Sequence, residues 1–355
     1  MTGAGRTTPV AVDGRPGTRQ PNLPVARGTL SAYLLEHLAT PPHPLKAPPA
    51  PACASWASDD LQLALYVCYE LHYRSFAGVD EGWEWHPDLL RFRAELEVVF
   101  ERGVRAVVAA GAPLRPRAAD DVEHQLWSLA SGGKGPSLSA YVAAQATLEQ
   151  VRELAVHRSA YQLKEADPHT WAIPRLAGGA KAAMVEIQAD EYGGGREAEM
   201  HASLFAVTMA ELGLDNSYGA YLDWLPGFTL ATVNLISLFG LHRRLRGALV
   251  GHLAIFEMTS VVSMGRYSAA LARLGVGEAG RRFYDVHVLA DAHHEHVAAH
   301  DMAGRLAVDE PALVADILFG AMAVTAVEAR FTSAILDRWA RNEPSLLRGI
   351  EVPSP

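Results

Sequence analysis

The sequence is poor in cysteine and has no block of basic residues. Only Cys53 and Cys68 are present among 355 residues, which is too few for a disulfide framework or a cysteine metal site. Lys and Arg number 31 against 40 acidic residues, the net charge is −9, and the basic residues are scattered. A nucleic-acid groove and a polybasic membrane patch both need clustered basic residues, so we expect neither.

Long apolar runs are also missing. No uninterrupted apolar stretch reaches the ~18 residues that a membrane-spanning helix needs. The N-terminus has no basic flank followed by an apolar core, so no signal peptide is expected. We therefore expect a soluble cytoplasmic protein.

The chain divides into an arm and a long helical part. Residues 1–27 are rich in Gly, Pro, Thr and Arg and are expected to be disordered, followed by a short helix (GTLSAYLLEHLA) and a proline-rich linker up to residue 56. From there apolar residues recur every three or four positions and strand-like alternation is almost absent, which predicts an all-α helical bundle. We expect residues 57–110 to form an N-terminal helical extension packed on the core, and residues 111–350 to form that core.

One segment, DVHVLADAHHEHVAAH at 285–300, combines five histidines with three acidic residues. Positions i, i+4 and i+7 share a helix face, which groups His287, Asp291 and His294. A second register, His293, His296 and His300, competes with the first but has no carboxylate. An iron site favours imidazoles mixed with carboxylates. The periodicity alone leaves both registers open, together with an ordinary solvated helix.

A second polar constellation lies at residues 163–205. It contains Glu165, Glu186, Asp190, Glu191 and His201. His201 lies ten positions after Glu191, and on a straight helix this spacing leaves the two side chains about 80° out of register. Three consecutive glycines lie between them. These glycines could permit a bend that brings the two side chains together, or they could form a plain turn between helices.

Three motifs, LKEADPHTWAIPRL, EIQADEYGGGREAEMH and DVHVLADAHHEH, resemble the haem-oxygenase-like diiron oxidases and oxygenases, a family of iron-containing redox enzymes. The resemblance runs from about residue 57 to 345. It implies a haem-oxygenase-like bundle with additional N-terminal helices, two iron ions, O2 as co-substrate and an external electron donor. The metal ligands that it implies are Glu165, Glu191, His201, His287, Asp291 and His294.

The same resemblance implies an activity. The spacing Glu-x25-Glu-x9-His matches the N-oxygenating members, so we expect oxygenation of a small amine or amino acid through a peroxo-diiron intermediate. Desaturation or C–C cleavage of an aliphatic or amino acid is the alternative within enzymes. A haem- or iron-binding helical bundle is the alternative outside enzymes. The chain could assemble as a homodimer.

Several neighbouring side chains are candidates for the pocket. Glu257 lies in the apolar stretch HLAIFEMTSVVS and, because a buried carboxylate needs a partner, it should face either the metal site or an arginine. Asp190 is expected either to orient a ligand histidine or to lie on the surface. Tyr161 precedes Glu165 by one turn and is expected to pack in the core or to line the pocket. His169 is expected to be a hydrogen-bonded loop histidine close enough to contact substrate.

Overall fold

The structure, a computed structural model, describes residues 19–51, 55–111, 121–132 and 135–349. This part of the chain is all-α, as expected, and contains no strand. Cys53 and residues 1–18 lie outside it. The helices are α1 (Thr29–Leu38), α2 (Asp59–Glu70), α3 (Pro87–Ala110), α4 (Val122–Ser131), α5 (Leu138–Gln145), α6 (Leu148–Gln162), α7 (Asp167–Thr170), α8 (Gly178–Glu191), α9 (His201–Glu211), α10 (Gly227–Leu241), α11 (Arg246–Arg273), α12 (Glu278–His296), α13 (Arg305–Asp309) and α14 (Val314–Ala340).

The arm before α1 follows an ordered path over the bundle from residue 19 onward. The Val25 N–H donates to Asp223 Oδ1 at 2.7 Å. The Arg27 guanidinium donates to the carbonyl oxygens of Leu222 and Leu225 at 2.7 and 2.6 Å. For residues 19–27 this path differs from the disorder expected for residues 1–27, because these hydrogen bonds pair polar groups of the arm with partners almost 200 residues away.

The N-terminal helices α2 and α3 pack on the rest of the bundle, with α2 against α10 and α3 against α14. Glu70 at the end of α2 is fully buried. Its carboxylate pairs with the buried Lys164 ammonium at 2.8 Å and accepts a hydrogen bond from the Tyr218 hydroxyl at 2.7 Å. This polar network inside the core links α2 to the residue that precedes Glu165.

The two longest helices, α11 and α14, pack closely against each other. Glycines at the crossing permit this, because a Cβ at Gly320 would collide with the Ala248 carbonyl. The segments Arg243–Arg273 and Pro311–Ala340 are long and apolar enough to span a membrane by composition alone, yet 61% and 56% of their most apolar windows are buried within the bundle. They are core helices of the bundle, and α11 also packs along α12.

Candidate metal centre

Seven buried side chains meet between helices α6, α8, α9, α11 and α12. They form two groups of four that share Glu191, and within each group one ligand atom of every residue lies within 4.8 Å of the others. The first group contains Glu165, Glu191, His201 and His287; the second contains Glu191, Glu257, Asp291 and His294. The structure therefore brings together all six expected ligands and adds Glu257.

Glu165 projects from a tight turn after α6. Ala166, the next residue, has a φ of 78°, a conformation that side chains other than glycine rarely adopt. The Ala166 carbonyl accepts a hydrogen bond from Gln188 Nε2 at 2.9 Å, which holds the turn against α8. Lys164 on the other side is fixed by its buried pair with Glu70. Contacts on both sides thus orient the Glu165 carboxylate.

Glu191 and His201 come together because the chain turns sharply between them. Glu191 is the last residue of α8 and His201 is the first of α9. All three intervening glycines, Gly193–Gly195, have positive φ, at 62°, 58° and 80°. A Cβ at Gly193 would lie only 2.5 Å from the carbonyl carbon of Glu199. The glycines form a turn between two helices, and it brings His201 Nδ1 to 2.9 Å from Glu191 Oε2.

The histidine-rich helix α12 uses the first of the two registers. His287, Asp291 and His294 are all buried and face the other ligand residues. The second set, His293, His296 and His300, is exposed. His296 stacks on His300, which shows that these imidazoles pack against each other at the surface.

Hydrogen bonds to the outer nitrogens fix the rings of two histidines. His287 Nδ1 donates to the Phe283 carbonyl at 2.7 Å, which leaves Nε2 directed toward the ligand residues. His294 Nε2 lies 3.0 Å from Asp190 Oδ2, and its Nδ1 faces Glu257 at 3.5 Å. Asp190 is 61% exposed, so it is a surface residue and also contacts a candidate ligand.

The facing atoms of these residues lack hydrogen bonds within the described part of the chain. Five buried ligand atoms are without a partner of acceptable geometry: Glu165 Oε2, Glu191 Oε2, His201 Nδ1, Asp291 Oδ1 and His294 Nδ1. Leaving buried polar atoms unpaired is costly, and metal ions held by the two groups would satisfy them. The mixed set of carboxylates and imidazoles fits iron.

The electrostatics of the cluster also favour a bound cation. Burial, with a contribution from the neighbouring Asp291 carboxylate, raises the pKa of Glu257 to about 8. The pKa of Glu165 is raised well above its ordinary value by burial and then by the Glu191 carboxylate. Because like charges repel, carboxylates this close together do not readily all ionise at the same time. Positive charge between them would allow all of them to ionise.

A cavity of about 330 Å³ opens beside the candidate ligands. Tyr161 and His169, both expected near the pocket, line it. His169 is buried and its Nε2 lies 3.2 Å from Nδ1 of the buried His252. Two further lining residues, Arg158 and Glu328, were missed by sequence reasoning. Arg158 could have been found, since it lies on the helix face of Tyr161, whereas nothing in the sequence pointed to Glu328.

Comparison with known proteins agrees with this geometry. A family model described as iron-containing redox enzyme matches residues 152–329, half of the chain. The matched stretch contains every residue of the two four-residue groups. No curated protein matches the sequence.

Proposed function

The chain belongs to the iron-containing redox enzymes, and from this membership we propose that it is an O2-activating non-haem diiron oxygenase. We further propose that it transfers one oxygen atom to the nitrogen of a small amine or amino acid. The observation that carries the diiron assignment is the sharing of Glu191 by two groups of ligand atoms. A carboxylate has two oxygens and can bridge two ions, as it does in diiron helical bundles.

The donor set argues against the haem-binding alternative. A haem pocket needs an axial ligand and an open apolar surface. Here four buried carboxylates, those of Glu165, Glu191, Glu257 and Asp291, converge on one centre. Burying several acids without a compensating cation is strongly unfavourable. Two iron(II) ions would carry four positive charges, which balances the four carboxylates.

The proposed reaction consumes one O2, two electrons and two protons for each amine. The O–O bond breaks, one oxygen forms the new N–O bond and the other leaves as water, while an external one- or two-electron protein reductant is oxidised. Bound iron would supply the chemistry of O2 reduction. The chain binds the substrate in the cavity and directs it toward the ligand residues. The apolar walls, which include the buried Leu154 and Leu253 and the half-buried Phe256, limit water beside them.

Iron stoichiometry tests the two-site assignment. In an anaerobic iron(II) titration, wild type should bind two ions per chain. His287→Ala should lose the ion of the first group and keep the second, and His294→Ala should do the opposite. Glu191→Ala should weaken both, because its carboxylate belongs to both groups.

His293→Ala is the matched control, since His293 is the neighbour of His294 but is exposed. It should bind both ions with wild-type affinity. The diiron assignment is refuted if wild type binds fewer than two ions, or if His294→Ala loads as fully as His293→Ala.

Product analysis tests the type of reaction. The iron-loaded protein, O2 and a chemical reductant are incubated with a panel of amines and amino acids, and products are read by mass spectrometry. Gain of one oxygen atom, with 18O incorporated from 18O2, supports N-oxygenation. Loss of two hydrogens or chain shortening would instead establish desaturation or C–C cleavage and would refute the N-oxygenation proposal.

A further inference from the structure

An ion pair forms part of the wall of the cavity beside the candidate metal ligands. Arg158 on α6 and Glu328 on α14 both line this cavity. The two terminal nitrogens of Arg158 donate to the two carboxylate oxygens of Glu328 at 2.9 and 2.8 Å. The side chains are 23% and 24% exposed, so both charged groups are largely, but not fully, removed from water.

The ion pair and several of the candidate metal ligands line the same cavity. Arg158 lies in α6 and Glu165 in the turn that follows this helix, seven residues later, and both side chains line the same cavity. The wall of this cavity also includes the apolar side chains of Leu253, Phe256 and Met264. A ligand that fits this space has a charged head, an apolar middle and a reacting end near Glu165.

The orientation of Arg158 leaves part of its guanidinium available to a ligand. The group lies over the Phe331 ring at 4.4 Å, which fixes its plane. Glu328 occupies the edge formed by the two terminal nitrogens, and an arginine has five N–H donors in all. The edge that includes Nε can therefore still take a second carboxylate in the fork geometry that arginine favours.

A ligand that carries both charges complements this pair better than a ligand with one charge. A ligand with only a carboxylate would be attracted by Arg158 and repelled by Glu328. A ligand with only an ammonium group would be attracted by Glu328 and repelled by Arg158. A zwitterion can place its carboxylate on Arg158 and its ammonium on Glu328.

We propose that the cavity binds an α-amino acid by its zwitterionic head at Arg158 and Glu328, with the side chain extending toward the candidate metal ligands. The proposal rests on the proposed function for the identity of the reacting end, and it assigns that end to the side chain of the amino acid. The α-nitrogen is held at Glu328, which belongs to neither group of candidate ligands. Fatty acids and simple amines are thereby disfavoured as substrates.

Calorimetric binding without O2 tests the recognition of the head group apart from catalysis. The probes are L-lysine, L-ornithine, L-arginine and L-norleucine, titrated into protein loaded anaerobically with iron(II) and into the protein without iron. Each is paired with the amine that lacks only the α-carboxylate: cadaverine, putrescine, agmatine and pentylamine. Hexanoate, which is norleucine without its ammonium, completes the set.

We expect at least one amino acid to bind at least tenfold more tightly than its paired amine. Arg158→Gln should remove that preference, and Glu328→Gln should lower the affinity for the amino acid at least tenfold. The double swap Arg158→Glu with Glu328→Arg keeps an ion pair between α6 and α14 and should still weaken binding. Arg246→Gln, which breaks the Arg246–Glu310 ion pair elsewhere in the bundle, is the matched control and should bind as wild type does.

Binding of none of the four amino acids, or binding of every amine as tight as that of its amino acid, overturns the proposal. Wild-type affinity in Arg158→Gln overturns it as well. The comparison of ligands on wild type does not depend on any variant folding. If an amino acid binds through Arg158 but no oxygenated product forms with O2, the proposed function fails while this inference stands. Oxygenation of the paired amines as efficiently as of the amino acids would leave the function standing and overturn the inference.

Discussion

Asp190 offers a direct test of whether His294 is a metal ligand. Its Oδ2 lies 3.0 Å from His294 Nε2, on the side of the ring away from the cluster. A carboxylate in this position accepts the outer N–H, fixes the tautomer and leaves the Nδ1 lone pair facing Glu257. Asp190→Ala should therefore weaken iron binding at the group that contains His294 and spare the group that contains His287.

The expected size of the effect follows from the geometry. Loss of a partner that orients a ligand histidine typically lowers metal affinity about 10- to 100-fold, which is ~1.4 to ~2.7 kcal/mol. The fold should be little affected, because the Asp190 side chain is 61% exposed. It also lies in the last turn of α8, where a negative charge is mildly unfavourable. The loss should thus appear in metal affinity and not in thermal stability.

Glu186→Ala is the control for this prediction. Glu186 lies one turn earlier on α8 and its carboxylate is 3.1 Å from His293 Nε2, so it makes the same kind of contact between the same two helices. Both of these side chains are exposed and neither belongs to the cluster. Competition titrations with a chromogenic chelator under anaerobic conditions would give both iron affinities. Equal affinities in Asp190→Ala and Glu186→Ala, or equal loss at both groups in Asp190→Ala, would refute the reasoning.

Three further predictions concern the backbone and a buried histidine. Gly193→Ala should lose iron affinity while keeping its helical circular dichroism, because φ of 62° is strained for alanine and the new Cβ would lie 2.5 Å from the backbone of the following turn; unchanged affinity would contradict this. Burial lowers the pKa of His157 to about 3, so as the pH falls through the ordinary value near 6.5 the unfolded state binds the proton first and the folded state loses stability. In urea unfolding, His157→Gln should lose about 1.4 kcal/mol less stability than wild type between pH 7.5 and 5.5. Equal losses in the two proteins would contradict this. Gly320→Ala should destabilise the fold by about 3 kcal/mol, because the new Cβ would collide with the Ala248 carbonyl on α11. Gly277 has open space around it, so Gly277→Ala should leave the stability unchanged in the same assay. Equal stabilities of the two variants would contradict this.

Much of the candidate site could be predicted from residue spacing together with the family resemblance. Helical periodicity grouped His287, Asp291 and His294 but left the second register open, and the preference of iron for carboxylates together with the resemblance favoured the first. Residues 285–296 are indeed helical and their polar faces separate as expected. Periodicity could define the two registers because these residues lie within one helical segment, whose geometry depends on local hydrogen bonds.

Glu257 shows where spacing ceased to be informative. Its burial made a partner necessary, but the sequence could not decide between an arginine and the metal site. The structure places it 3.5 Å from His294, on a different helix. The Gly193–Gly195 run presented the same difficulty, because a bend and a turn have the same sequence signature.

The helices and their polar faces could be predicted from the sequence, because both depend on interactions between residues a few positions apart. Which carboxylates share a centre, and which arginine lines the cavity beside it, became known from the packing of the helices. Arg158 and Glu328 are 170 residues apart in the chain and meet only because α6 and α14 line the same cavity. Such contacts depend on how helices pack, and helix packing is set by the shape of the whole core, which no local pattern encodes.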